Sequence, residues 1–217
     1  MAYRITLILV FFSLFFKISI AQNKTKNSNT QLTIDDVYNS TEFIYYGLDF
    51  SNFRLVEPDR INDGAEIKNI QFPSWNSYLL NEISMNKMAK WFKKTKVIYN
   101  PVAVTVSNSK VSEKEVVARL PFKSDINDIQ NTISTYEKPS SANTKIGMVI
   151  SVEYFQKKPK EAAAYIIFFD ISNGDIILSE RVVTNLCAEG KGLTAFWGQS
   201  CMFFIKEYVD NIYSKGL

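Results

Sequence analysis

Gly190-Lys191-Gly192-Leu193-Thr194 is the stretch of this sequence best suited to hold an anion. Glycines let backbone N–H groups approach a ligand, and a helix starting here would add its positive end to the Lys191 ammonium. A Walker A loop needs Gly-Lys followed directly by Ser or Thr; here Gly192 follows the lysine. Gly190, Lys191, Gly192 and Thr194 are therefore a candidate anion site, set against a tight strand-to-helix connection. Cys187 and Cys201 are the only cysteines. If the final helix lays Cys201 on the sheet beside the strand that Cys187 leaves, a disulfide closes a loop of about 15 residues, worth roughly 3 kcal/mol. The alternative is two small buried hydrophobes. Asp49 and Asp170 fall near strand ends, with Glu153 and Glu180 on neighbouring strands. Two carboxylates about 5–10 Å apart can carry out glycosidase chemistry, whereas solvated strand ends need no partner.

The chain has no histidine. Histidine is the usual general base near neutral pH and the commonest metal ligand. Its absence excludes Ser-His and Cys-His nucleophile pairs and the usual catalytic zinc sites. No catalytic residue, metal site or cofactor is expected; a hydrolase would have to work with carboxylates, Lys or Tyr. Lys87, Lys90 and Lys94 share one helical face, with Lys93 and Lys96 nearby and Trp91 pointing elsewhere. That face reads as solvated, with an acidic partner surface as the alternative.

These residues are positioned by a regular alternation of elements. Phe43–Phe50 reads as a strand, apolar on both faces until Asp49, which Phe53–Val56 extends or follows as an edge strand. Residues 57–69 read as a loop. Pro73 opens a helix that carries Trp75, Tyr78, Leu79 and Ile83, then Met88, Trp91 and Phe92 after a break near Ser84. The β-branched run Val97–Val106 predicts a strand, with Pro101 at an edge or bulge. Ser124 is a good N-cap for a helix whose stripe is Ile126, Ile129, Ile133 and Tyr136. Ile146–Phe155 is a strand and Ala162–Ile171 a central one. Asn173-Gly174 suits a type I′ turn into a return strand over Asp175–Val183. Trp197, Cys201, Phe204, Ile205, Tyr208 and Ile212 stripe a long final helix. The order β-α-β-α-β-β-β-α predicts an α/β (α+β) fold with a single mixed β-sheet packed by helices.

The first 22 residues carry the compartment. Met1–Arg4 is a short positive start, Ile5–Phe16 an apolar run, and Ser19-Ile20-Ala21 a small-residue cleavage site before Gln22. That is the pattern of a secretory signal. The expected organisation is a signal peptide over residues 1–21, a flexible polar leader over 22–42 and one α/β domain over 43–217. Asn23-Lys24-Thr25 and Asn39-Ser40-Thr41 fit the glycosylation pattern, relevant only in a eukaryotic host. The apolar run of Ile5–Phe16 is shorter than the roughly 20 residues a spanning helix needs, so no transmembrane segment is expected after cleavage. Losing Arg4 and Lys17 with the signal lowers the formal charge from +3 to +1. That near-neutral balance speaks against nucleic acid as a partner.

Four segments resemble an uncharacterised group of exported proteins of Bacteroidota-type bacteria. They are Tyr46-Gly47-Leu48-Asp49-Phe50-Ser51, Phe72-Pro73-Ser74-Trp75-Asn76, Phe168-Phe169-Asp170-Ile171 and the run from Gly190 to Trp197. The cleavage site before a Gln is similar to signals of that group. In element order the chain is similar to periplasmic α/β modules of the TolB N-terminal and curli-secretion type, which bind partners and assemble envelope machinery. The Bacteroidota-type group has no known activity to carry over. The missing histidines and motifs, with the many aromatics, favour an exported, non-catalytic domain, periplasmic or at the cell surface, for protein interaction or envelope assembly, with an envelope or surface protein as partner. The rivals are a carboxylate-dependent enzyme acting on glycans or envelope polymers, and a small-ligand carrier using the Gly190–Thr194 turn.

Overall fold

Thr33 begins the first element. Its hydroxyl accepts from the Asp36 N–H, and the Asp36 carboxylate accepts from the Thr33 N–H at 2.8 Å. This reciprocal cap starts α1 (Ile34–Asn39), which buries Val37. The structure, a computed structural model, describes residues 31–56, 63–121, 123–137, 139, 143–185 and 192–216. The signal segment lies outside them. The leader expected over 22–42 is amended at its C-terminal end, because the compact unit begins at Leu32 and not at Phe43.

Strands β1 (Glu42–Asp49) and β2 (Arg54–Val56) follow, then α2 (Gly64–Glu66), a π-helical turn over Ile67–Gln71, α3 (Phe72–Glu82) and α4 (Met85–Trp91). Ser84 caps α4 through the Lys87 N–H, which is the expected break. Next come β3 (Lys96–Tyr99), α5 (Val102–Ser109), β4 (Val117–Ala118), α6 (Ile126–Ser134), β5 (Ile146–Gln156), β6 (Glu161–Asp170), β7 (Ile176–Asn185) and α7 (Leu193–Asn211).

All seven strands form one mixed sheet. β1 and β2 run end to end along one side of β5, both parallel to it. β3 lies outside β1 and β4 outside β2, also parallel. β6 pairs antiparallel on the other side of β5, and β7 closes that edge. Helices α3, α4 and α7 cover one face, where Trp75, Leu79, Met88, Trp197, Phe204 and Tyr208 pack on Phe43, Ile150, Ile166 and Phe168. Helices α5 and α6 cover the other, with Val104, Ile129, Ile133 and Tyr136 on Ile44, Tyr46, Val149, Ile167 and Phe169. β1, β5 and β6 are thus apolar on both faces because both faces are covered.

The expected single sheet packed by helices is what forms, with corrections in detail. The strand expected over Val97–Val106 stops at Tyr99, and Pro101 stands at the N-cap of α5. Pro101 has no N–H to extend the ladder and a φ suited to a helix start. Burial of Ala103 and Val104 against the sheet outweighs the few tenths of a kcal/mol that β-branched residues cost in a helix. The cap of α6 is Asp125 rather than Ser124, and Ile126 stays exposed while Ile129 and Ile133 are buried. The Asn173-Gly174 turn is not type I′: five residues connect β6 to β7, and of the two only Gly174 has positive φ, at 81°. The Gly174 N–H donates to the Asp170 carbonyl at 2.7 Å and the Ser172 N–H to the Asp170 carboxylate at 2.7 Å. Of these two strands only β6 is interior to the sheet; β7 is an edge strand.

Candidate functional site

A gap opens along the outer edge of β1–β2. β3 ends with Tyr99 opposite Tyr45, and β4 begins with Val117 opposite Leu55. Between them the β1 edge has no strand neighbour, yet its backbone groups still need partners. Two asparagines supply them. Asn76 of α3 accepts from the Leu48 N–H at 2.8 Å and donates to the Leu48 carbonyl at 3.2 Å. Asn108 of α5 accepts from the Phe50 N–H at 2.7 Å and donates to the Leu48 carbonyl at 3.0 Å. Side chains from helices on opposite faces of the sheet thereby replace a strand.

The chain departs from regular geometry around this gap. The β1–β5 register shifts between Tyr45 and Leu48, a bulge that re-aims the strand. Gly47 inside it has φ of 108°, and a Cβ there would lie 2.8 Å from Asn76 Oδ1. The residues before α3 form the π-helical turn Ile67–Gln71, a rare conformation common at functional sites. The outcome is a cleft of about 410 Å3 between α3 and α5. Its size falls within the roughly 300–1,000 Å3 of small-molecule sites. It lies at the carboxyl end of parallel β3, where helices from the two faces diverge, as in the crevices that bind ligands in open α/β sheets.

Lys68, Asn69, Ser77, Tyr99 and Thr105 supply polar groups to the cleft, and among the described residues no Asp or Glu lines it. Burial raises the Tyr99 phenol above its usual range, so it remains a neutral donor. Two of the sequence segments quoted above, Tyr46–Ser51 and Phe72–Asn76, meet here. Asn76 and Asn108 were not singled out from the sequence. The available signal was an asparagine inside each helix, where its side chain competes with the backbone and is disfavoured.

The four carboxylates do not assemble into a catalytic pair. Asp49 is level with Ser151 of β5 and Asp170 with Ile146, five residues or roughly 16 Å apart along the strand. Nor are they solvated ends: Asp49 is 2% and Asp170 7% exposed. Asp49 accepts from the Ser51 N–H at 2.7 Å and from the Tyr136 hydroxyl. Burial, and then Asp49 itself, push the Tyr136 phenol far up. Glu153 is fully buried, accepting from the Ser124 N–H and from Arg181 Nε, each at 2.6 Å. Glu180 pairs opposite Ile166 on the face that α7 covers.

The lysine face divides. Lys90, Lys93 and Lys96 are exposed as expected. Trp91 does not point away, because Lys87 Nζ lies 5.2 Å from its ring centroid. Lys94 is corrected outright: it is 8% exposed. Its ammonium donates to the carbonyls of Val37, Tyr38 and Ser40 at 2.7, 2.8 and 2.8 Å, tying down the end of α1.

Of the candidate anion site, Gly190 and Lys191 lie outside the described residues. Gly192 is exposed, and the Thr194 hydroxyl donates to Gln71 Oε1 at 2.9 Å. Cys201 is a buried free thiol donating to the Trp197 carbonyl; Cys187 lies outside the described residues. Among the described residues no cluster of metal-binding side chains occurs, and no helix is long and apolar enough to cross a membrane.

No protein-family model matches the sequence, and no curated protein matches it significantly. The likeness to the exported Bacteroidota-type group and to the TolB and curli-secretion modules therefore rests on short motifs and element order. Among solved structures, lipoprotein GNA1162 from Neisseria meningitidis aligns over 80% of this chain and 99% of its own, with 10% identity and a TM-score of 0.30.

Proposed function

We propose that the protein is an exported, non-catalytic binding domain, periplasmic or at the cell surface, that engages an envelope or surface component through the cleft between α3 and α5. One observation carries this reading: the β1 bulge, Gly47, the π-helical turn and both strand-replacing asparagines converge on one cleft. Irregular backbone costs free energy, and it persists where surrounding structure holds it and function uses it. Export is supported by the order of charged, apolar and small residues over 1–21. The absence of histidine and the commitment of Asp49 and Glu153 to structural donors favour binding over carboxylate catalysis.

The test is a backbone amide NMR spectrum of the exported protein before and after addition of fractionated envelope extract. Shifts are expected over residues 68–77 and 99–109, and Ser77→Trp, an exposed position in the cleft, should abolish them. Shifts confined to other surfaces, or unaffected by Ser77→Trp, would overturn the reading. Intact mass should place the N-terminus at Gln22; retention of residues 1–21 would remove the compartment.

A further inference from the structure

We propose that the cleft takes a hydroxylated organic anion carrying one carboxylate, a ligand of the sugar-acid class. This rests on the reading of the cleft as the binding site and adds the chemistry of what fills it.

The polar groups of the cleft divide into committed and uncommitted sets. Asn76 and Asn108 are occupied by the β1 backbone, and the Ser109 hydroxyl by the Val106 carbonyl at 2.7 Å. The side chains of Lys68, Asn69, Ser77 and Thr105 and the Tyr99 hydroxyl have no hydrogen-bond or ion-pair partner among the described residues. The uncommitted set is rich in donors: three N–H on the ammonium, two on the amide and one O–H on each hydroxyl. With no carboxylate among the described lining residues, a ligand that brings acceptors suits this set.

Charge narrows the class. Lys68 is half-buried and is the only charged residue of the lining among the described residues. One ammonium balances one carboxylate. Compact phosphate sites use bidentate arginine or a fan of backbone N–H groups, and among the described residues no arginine lines this cleft. The remaining uncommitted groups are neutral hydroxyls and an amide, which suit ligand hydroxyls because each can donate or accept. The Tyr99 ring, Pro73 and Pro101 supply apolar wall for the C–H faces of a ring-shaped ligand.

The experiment titrates the exported protein with D-glucuronate, D-glucose and acetate at fixed ionic strength, following the backbone amides of Ser77 and Thr105. Saturable shifts are expected with glucuronate. Glucose should bind roughly tenfold to a hundredfold more weakly, the value of one charge-assisted hydrogen bond, and acetate more weakly still. Lys68→Gln should reduce glucuronate binding to the level of glucose, and Lys68→Arg should retain most of it. Equal binding of glucose and glucuronate, or indifference to Lys68→Gln, would overturn the anion class while leaving a cleft that binds. Shifts outside the cleft, or none with any probe, would overturn the ligand class altogether; the envelope-extract experiment then judges the cleft separately.

Discussion

Replacing Lys94 with Met tests how the N-terminal helix is held. The substitution keeps a long apolar stem in the core and removes only the ammonium. Three bonds from a charged donor to the Val37, Tyr38 and Ser40 carbonyls are lost. Methionine leaves the three carbonyls without a donor, at about 1–3 kcal/mol each, or about 3–9 kcal/mol in all. Against this stands the cost of burying the ammonium, which methionine does not bear. Burial pushes the Lys94 group down from 10.5 to about 8, equivalent to about 3 kcal/mol. Undocking of α1, which lets water reach the carbonyls, also caps the loss. The expected net destabilisation is about 3 kcal/mol, or roughly 6–12 °C in Tm for a domain of this size. Amide exchange over residues 34–39 should accelerate before the rest of the domain. Lys94→Arg should rescue in part, because a planar guanidinium cannot converge three N–H groups from one nitrogen on three carbonyls. A Tm within about 1 °C of wild type, with α1 still protected, would refute the reasoning.

The same group sets a pH dependence. Lys94 loses its proton near pH 8 in the folded chain and near 10.5 when unfolded, so the unfolded state binds more protons between those values and wild type should gain stability over Lys94→Met as pH rises through that window; a gap that narrows in chemical denaturation would contradict it. Gly174→Val should lower stability by roughly 1–3 kcal/mol, since φ is 81° and the added Cβ would lie 2.9 Å from the Ser134 Cα; an unchanged melt would count against the loop geometry. In a Cys187→Ser background, Cys201 should stay unreactive to a thiol reagent at pH 8 until the protein unfolds, because burial pushes its thiol far up; rapid labelling of the native protein would show that α7 is misplaced.

What could be read from the sequence was what repeats locally. The unbroken apolar runs Phe43–Leu48 and Ala162–Phe169 marked strands covered on both faces, and the stripe from Trp197 to Tyr208 marked the final helix. Gly174 marked a bend, although the neighbouring loop was longer than an Asn-Gly pair suggests because Asp170 folds its own carboxylate and carbonyl into it. Val97–Val106 misled because β-branched propensity is weaker than the interruption at Pro101. The cleft was hidden for a different reason. Asn76 and Asn108 reach Leu48 across 28 and 60 residues, and Lys94 reaches α1 across 54 to 57. No periodicity encodes such pairs, and a lysine on a basic helix looks solvated until the element it caps is in place. The carboxylates were placed correctly on strands, but their donors, Tyr136, Arg181 and the Ser124 N–H, come from elsewhere in the chain.

These long-range contacts share one physical role. At several places where the sheet or an element end leaves backbone groups without a ladder, a side chain from a different element fills in. Asn76 and Asn108 serve Leu48 and Phe50. Gln130 accepts from the Ile176 N–H at 3.0 Å and donates to the Gly174 carbonyl at 2.7 Å. Glu153 serves the Ser124 N–H, and Lys94 serves the end of α1. At the two ends of β7 and α1 this closes the fold. At β1 it does something further, because an amide side chain takes far less space than a strand. Had β3 continued past Tyr99 to pair with Leu48 and Phe50, its backbone would occupy the gap and α3 would pack against it. With two asparagines in its place, the β1 backbone is satisfied, its edge offers no free ladder for another chain to join, and room remains between α3 and α5. The cleft is therefore a product of how the β1 edge is satisfied, and the groups left over after that requirement is met, Lys68, Asn69, Ser77, Tyr99 and Thr105, are the ones free to meet a ligand.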